Sequence, residues 1–290
     1  MTLSLYGTSP LKRSRRTRTE LEAIDTALLE WGIENRPFTV RQAFYAMSVR
    51  YVVGKDETGY DVVQRQLLAL RRTGIMPFGW ITDNTRMMRK PRTHSSLEAA
   101  LYYTQQTYRH SVWADSPVYV EIWLEKDALS GVLYGETYKY DVPLMVVRGF
   151  SSETFIHGAA QTIEAEDKPA YLYYFGDHDP SGVEIDRKIE SGIRKYAPDA
   201  EVHFQRVAVH EWQIDAWNLP TRPTKQSDSR AKNFKGESVE LDAIPPLELR
   251  RLARECITQH LDPRYLSRIA QQEAHEKEQL LDILAQLEGN

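Results

Sequence analysis

Two apolar runs decide how this chain can fold. Residues 118–124 and 170–176 are short and strand-like, and each delivers acid at its end: Glu125 after the first, Asp177 and Asp179 after the second. Segments with helical spacing follow at 127–139, 152–165 and 181–196, and further strand-like runs lie at 143–148 and 201–209. Strands that alternate with helices of about 10–15 residues imply a parallel sheet with helices on both faces. In such sheets ligands bind beyond the carboxyl ends of the strands, which is where the three acids fall.

An Asp-x-Asp turn sets two hard oxygen ligands close together. A carboxylate from a neighbouring strand end closes one side of an octahedral Mg²⁺ site and leaves the other positions to water and phosphate. Asp is also common at helix N-caps and Pro at the first helical position, so one Asp before Pro180 would serve as a cap in any case. Capping accounts for one aspartate, and for neither the second nor Glu125. His157, His203 and His210 lack metal-ligand spacing, and His178 between the aspartates reads as a phosphate or water contact.

The N-terminal third has a different charge. Although the 290-residue chain carries a net charge of -4, residues 1–92 hold 16 Lys and Arg against 9 Asp and Glu. That asymmetry fits a basic module joined to an acidic one. Residues 1–18 form a basic arm with Lys12, Arg13, Arg15, Arg16 and Arg18. From Thr19, Leu21, Ile24, Leu28 and Leu29 recur at helical spacing, with Gly32 expected to stop the helix. Thr39 caps a second helix whose Val40, Ala43, Phe44 and Met47 share one face. Tyr45 falls about 150° from that stripe, beside Arg41 and Ser48, and is expected outside the core.

A third helix near 60–72 should bury Tyr60, Val63, Leu67 and Leu70 and leave Arg65 and Arg72 aligned on another face. Pro77 and Gly79 among apolar residues in 74–81 predict a hairpin wing. Three helices and a wing make a winged-helix domain over 19–92, whose last helix lies on DNA. Arg65, Arg71 and Arg72 are its candidate phosphate contacts. A linker helix is expected within 93–117, the sheet domain over 118–260 with a basic loop at 219–236, and a C-terminal helix in 261–290. Lys126, Arg148, Lys225, Arg230 and Lys232 are further candidate DNA contacts. The single cysteine, Cys256, excludes an internal disulfide and a multi-cysteine zinc site. No apolar run reaches membrane length, so a cytoplasmic, nucleoid-associated location is expected.

Three motifs carry a family resemblance: Glu125-Lys126-Asp127-Ala128, the turn Arg148-Gly149-Phe150, and Asp177-His178-Asp179-Pro180-Ser181-Gly182. Together they resemble the Toprim domain, and more specifically the A subunit of DNA topoisomerase VI and the related transesterase that makes meiotic double-strand breaks. Stand-alone A-like proteins of mobile elements belong to the same comparison. Arg41-Gln42-Ala43-Phe44-Tyr45 is similar to the Arg-x-x-Tyr-Tyr segment bearing the family's nucleophilic tyrosine. Because Phe44 replaces the first tyrosine, the role falls to Tyr45. Residues 237–244 resemble the Lys-x-Glu-Ile-Glu-Ala-Leu stretch after the family's Toprim core.

The resemblance spans roughly residues 36–260. It implies an α/β fold with an N-terminal winged-helix domain and a Toprim domain built on a parallel sheet flanked by helices. It also implies Mg²⁺, for which Mn²⁺ would substitute, on Glu125, Asp177 and Asp179, and double-stranded DNA as substrate. Tyr45, aided by Arg41, would attack a backbone phosphorus and keep a 5′-phosphotyrosyl link. One tyrosine and one metal site per chain imply a homodimer, and strand passage would need a separate ATPase B-type subunit. Two other readings remain open on the residues alone: a Toprim nuclease that uses water, and a non-catalytic winged-helix DNA-binding regulator.

Overall fold

The structure, a computed structural model, describes residues 16–82, 90–149, 151–223, 234 and 236–288. Phe150, Lys225, Arg230 and Lys232 lie outside the described residues, as do Lys12, Arg13 and Arg15 of the basic arm.

Three helices build the N-terminal region. Helix α1 (Arg18–Asn35) starts at a capping box in which Thr17 accepts from the Glu20 amide and the Glu20 carboxylate accepts from the Thr17 amide at 2.6 Å. Thr39 and Gln42 repeat the device for α2 (Val40–Val49), and Asp56 caps α3 (Glu57–Arg72). Three expectations need correction here. Gly32 does not end α1 but lies within it, where the Trp80 and Phe38 rings press so closely that a Cβ would stand 3.1 Å from Trp80. Among the described residues there is no hairpin wing: 78–80 wind into a 3-10 turn, and Ile81 makes one parallel bridge to Phe38. Pro77 and Gly79 punctuate that tight turn as readily as they would a hairpin, and Trp80 leads it onto α1.

The third correction concerns Tyr45, which is only 7% exposed. The stripe of Ala43, Phe44 and Met47 is core as expected, but the opposite side of α2 is covered too, by residues 242–245 and 217–220. Helical periodicity reports one buried face and is blind to a second cover that arrives from far along the chain.

Helix α4 (Leu97–Thr107) links to the sheet, whose strands β1 (Tyr119–Leu124), β2 (Leu144–Val146), β3 (Ala170–Phe175) and β4 (Val202–Ala208) are all parallel in the order β2-β1-β3-β4. The crossovers are α5 (Ser130–Lys139), α6 (Glu153–Glu166) and α7 (Pro180–Tyr196). After β1 the chain pairs β2 on one side and then β3 on the other, so the ends of β1 and β3 flank the topological switch point. Side chains alternate between two cores. Ile122, Leu124, Tyr173 and Phe175 pack with the N-terminal helices and α9 (Pro246–Thr258), which follows the short α8 (Glu211–Ala216). Trp123, Leu172 and Tyr174 form the second core with residues of α6 and α7. The last helix, α10 (Pro263–Glu288), packs on α4. The chain is thus a mostly helical α/β protein with a small parallel sheet flanked by helices.

Candidate active site at the carboxyl edge of the sheet

Strand register brings the predicted acids together. Leu124 pairs with Phe175, so Glu125 and Gly176 leave the sheet side by side, with the Glu125 amide donating to the Phe175 carbonyl at 2.9 Å. One oxygen of Glu125 then accepts from the Asp177 amide at 2.9 Å and from the Tyr174 hydroxyl at 3.1 Å. Gly176 permits this approach, since a Cβ there would stand 2.6 Å from that same Glu125 oxygen. Asp177 accepts from the Leu241 amide at 2.8 Å and pairs with Lys126 at 3.1 Å. Asp179 turns elsewhere: it caps α7 by accepting from the Gly182 amide at 2.8 Å, and its other oxygen lies 3.5 Å from Arg222.

Burial and crowding set the charges. Burial, and then the negative Asp177 beside it, push Glu125 up to about 7. Burial raises Asp177 as well, against the pull of Lys126. Two further acids, which the sequence reading left unassigned, complete the arrangement. Glu240 and Asp242 are 4% and 3% exposed, carried in by an antiparallel bridge between Val239 and His178. Glu240 takes Arg41 at 2.7 and 3.0 Å, pairs with Arg222, and lies 3.4 Å from Lys126. Burial works to raise its pKa, yet Lys126, Arg41 and Arg222 outweigh burial and hold it below the usual value. Asp242 accepts from the Thr39 hydroxyl at 3.2 Å and from Lys126 at 2.9 Å. The alternation of acid and apolar residues through 237–244 was the available signal, but the same pattern also describes a half-exposed strand.

Between this edge and α3 lies a cleft of about 870 Å³, lined by Arg41, Arg65, Arg71, Glu125, Lys126 and Arg148, among others. The stripe facing it is Gln64, Leu68 and Arg71, with Arg65 at its margin and Arg72 outside the lining. Arg148 reaches across to Asp127 at 2.9 Å. Lys126 is no free cation, for three carboxylates hold it. Tyr45 opens on a different pocket, of about 210 Å³, beside Trp31, Trp217 and Asp242. Burial, then the charge of Glu240, push its hydroxyl up to about 12, with Arg41, Arg222 and Lys126 opposing. Ionising it there costs roughly 3 kcal/mol more than in water.

By donor chemistry, Glu125 and Asp177 fit a hard divalent cation: they are adjacent carboxylates whose repulsion a cation would relieve. Asp179 is set apart by its cap, and among the described residues no three His, Cys, Asp or Glu side chains converge as a metal cage. The chain matches no family model and no curated protein. What fold and site define is therefore a class: an α/β protein with paired acids at the switch point of a parallel sheet, an arrangement consistent with a Toprim-like fold.

Proposed function

We propose that this chain cleaves DNA by transesterification, as an A-subunit-like relative of the topoisomerase VI family. The observation that carries the reading is the meeting of Glu125 and Asp177 at the ends of adjacent parallel strands, across a cleft from the arginine-bearing side of α3. Arg65 and Arg71 would hold backbone phosphates there. Glu125 and Asp177 would hold Mg²⁺ or Mn²⁺, and Asp179 would join them only by leaving its cap. When bound, such an ion stabilises negative charge on phosphoryl and leaving oxygens. The phenolic oxygen of Tyr45 gives up its proton and bonds to phosphorus as the bond to the 3′ oxygen breaks; the 3′ oxygen takes a proton, and the 5′ phosphate stays on the tyrosine. Arg41 would offset the phenolate's charge.

Tyr45 and Glu125 open on different pockets of one chain, which have Asp242 as a common wall. Tyr45 would therefore serve the cleft of a second copy, which makes the active species a two-fold dimer with two composite sites. Strand passage would call for a separate ATPase subunit. Among the described residues no helix is long and apolar enough to cross a membrane.

One observation favours a second reading. A tyrosine 7% exposed is poorly placed to attack, and water would replace it in a metal-dependent nuclease. Denaturing gels with Mg²⁺ or Mn²⁺ separate the two: protein-linked 5′ ends that vanish in Tyr45→Phe support transesterification, and cleavage without adduct supports hydrolysis. Binding without any cleavage would leave only a DNA-binding regulator.

A further inference from the structure

We propose that Arg206 is the positioning residue of this site: it fixes the turn and the tyrosine that hold the acids, acting through backbone carbonyls and an aromatic ring rather than through the carboxylates themselves. The inference rests on the cleavage reading above. Arg206 lies on β4, with 12% of its side chain exposed, and its Nε pairs with Asp186 of α7 at 2.6 Å. One terminal nitrogen donates to the carbonyls of Asp177 at 3.1 Å and Gly176 at 3.3 Å, and the other donates to the Gly182 carbonyl at 2.8 Å. Its guanidinium carbon also stands 5.2 Å from the centre of the Tyr174 ring, and the Tyr174 hydroxyl donates to Glu125.

A single side chain thus grips the start of the acidic turn, its end, the helix it leads into and the tyrosine that holds the neighbouring strand's glutamate. Asp177 is consequently fixed twice, its carbonyl by Arg206 and its carboxylate by the Leu241 amide and Lys126. The task needs a planar fork of several donors at set angles. Arginine offers one and lysine does not. Partners of this kind set ligand orientation, and their loss typically weakens metal binding about 10- to 100-fold.

The test is Mn²⁺ binding by the full chain, read by electron paramagnetic resonance, with duplex binding in EDTA alongside. Arg206→Lys keeps the charge and a bond to Asp186 but loses the fork; Asp186→Asn releases the fork from its anchor. Both should weaken Mn²⁺ binding, the lysine variant by about tenfold or more, while the chain still melts cooperatively above the assay temperature and duplex affinity is unchanged. Wild-type Mn²⁺ affinity in Arg206→Lys would overturn the proposal, as would a parallel fall in duplex affinity, which signals general loss of structure. Wild type that binds Mn²⁺ but never cuts DNA refutes the cleavage reading alone, and wild type that binds no Mn²⁺ refutes both.

Discussion

The raised pair Glu125 and Asp177 and the lowered Glu240 are buried acids of one site that behave in opposite ways. Glu125 and Asp177, 9% and 5% exposed, are both raised, whereas Glu240, 4% exposed, is lowered. Burial is similar, so it cannot decide the sign. Cations do: Glu240 has Arg41, Arg222 and Lys126, while Asp177 has Lys126 and Glu125 has the negative Asp177 as its neighbour. Glu121 supplies the reference without a cation. At 1% exposed, with the Tyr119 hydroxyl and the Trp123 indole donating to it, it is pushed to about 7 by burial. Glu125, which lines the cleft, and Asp177 beside it thus hold less positive charge than Glu240 does, an imbalance that a bound cation would relieve.

The comparison breaks most sharply at Lys126. Lys126→Ala strands Asp177, Glu240 and Asp242 without their shared ammonium and should cost about 3 kcal/mol or more of stability. Burial already raises Asp177, and without Lys126 the main pull holding it down is gone, so falling pH neutralises it and urea denaturation should show a large deficit at about pH 8 that shrinks toward pH 5. An equal deficit at both would mean that packing of the lysine stem, not charge, dominates. Glu121 sharpens the reference. Its folded pKa of about 7 exceeds the unfolded value of 4.5, so its contribution is fullest below 4.5 and is lost as pH rises through 7. Glutamine mimics the protonated acid toward Tyr119 and Trp123. Glu121→Gln should therefore gain roughly 2 kcal/mol at about pH 8 and little at pH 5.

Asp179 tests where capping ends and charge begins. Asp179→Ala should lose about 1 kcal/mol, and Asp179→Asn, a good cap, only a few tenths. Loss of DNA cleavage in the asparagine variant assigns the carboxylate a role beyond the cap; retained cleavage leaves it a cap only. The smallest effect belongs to the arginines. Arg71→Ala should reduce the slope of log affinity against log salt by roughly 0.9, one phosphate contact, while Arg72→Ala leaves it unchanged. Equal slopes for the two would move the DNA away from the cleft.

The sheet and its acids were legible because each depends on local pattern: an apolar run of strand length, then a carboxylate. The helices α1 to α3 and the caps Thr39 and Asp179 were legible for the same reason. What stayed hidden depends on long-range partners. Tyr45 lies on the polar side of α2 and is covered there by residues 217–220 and 242–245, which come from far along the chain. Gly32 reads as a stop signal until Trp80 occupies the space above it. Glu240 and Asp242 look like solvated acids until Arg41, Thr39 and Lys126 are set against them. Arg206 had no local signal either, since its partners are carbonyls, which any sequence supplies.

The seam over α2 also has a dimension in time. Arg41 meets Glu240 across 199 positions and Thr39 meets Asp242 across 203. At about 5–20 residues per second, the ribosome takes roughly 10–40 seconds to supply the second half of that seam. Throughout that interval the nascent chain carries its tyrosine on an uncovered helix with no finished acidic edge opposite. The two halves of the proposed chemistry become a working whole only when synthesis has passed residue 244, so a stalled or truncated product would display the tyrosine without the means to use it.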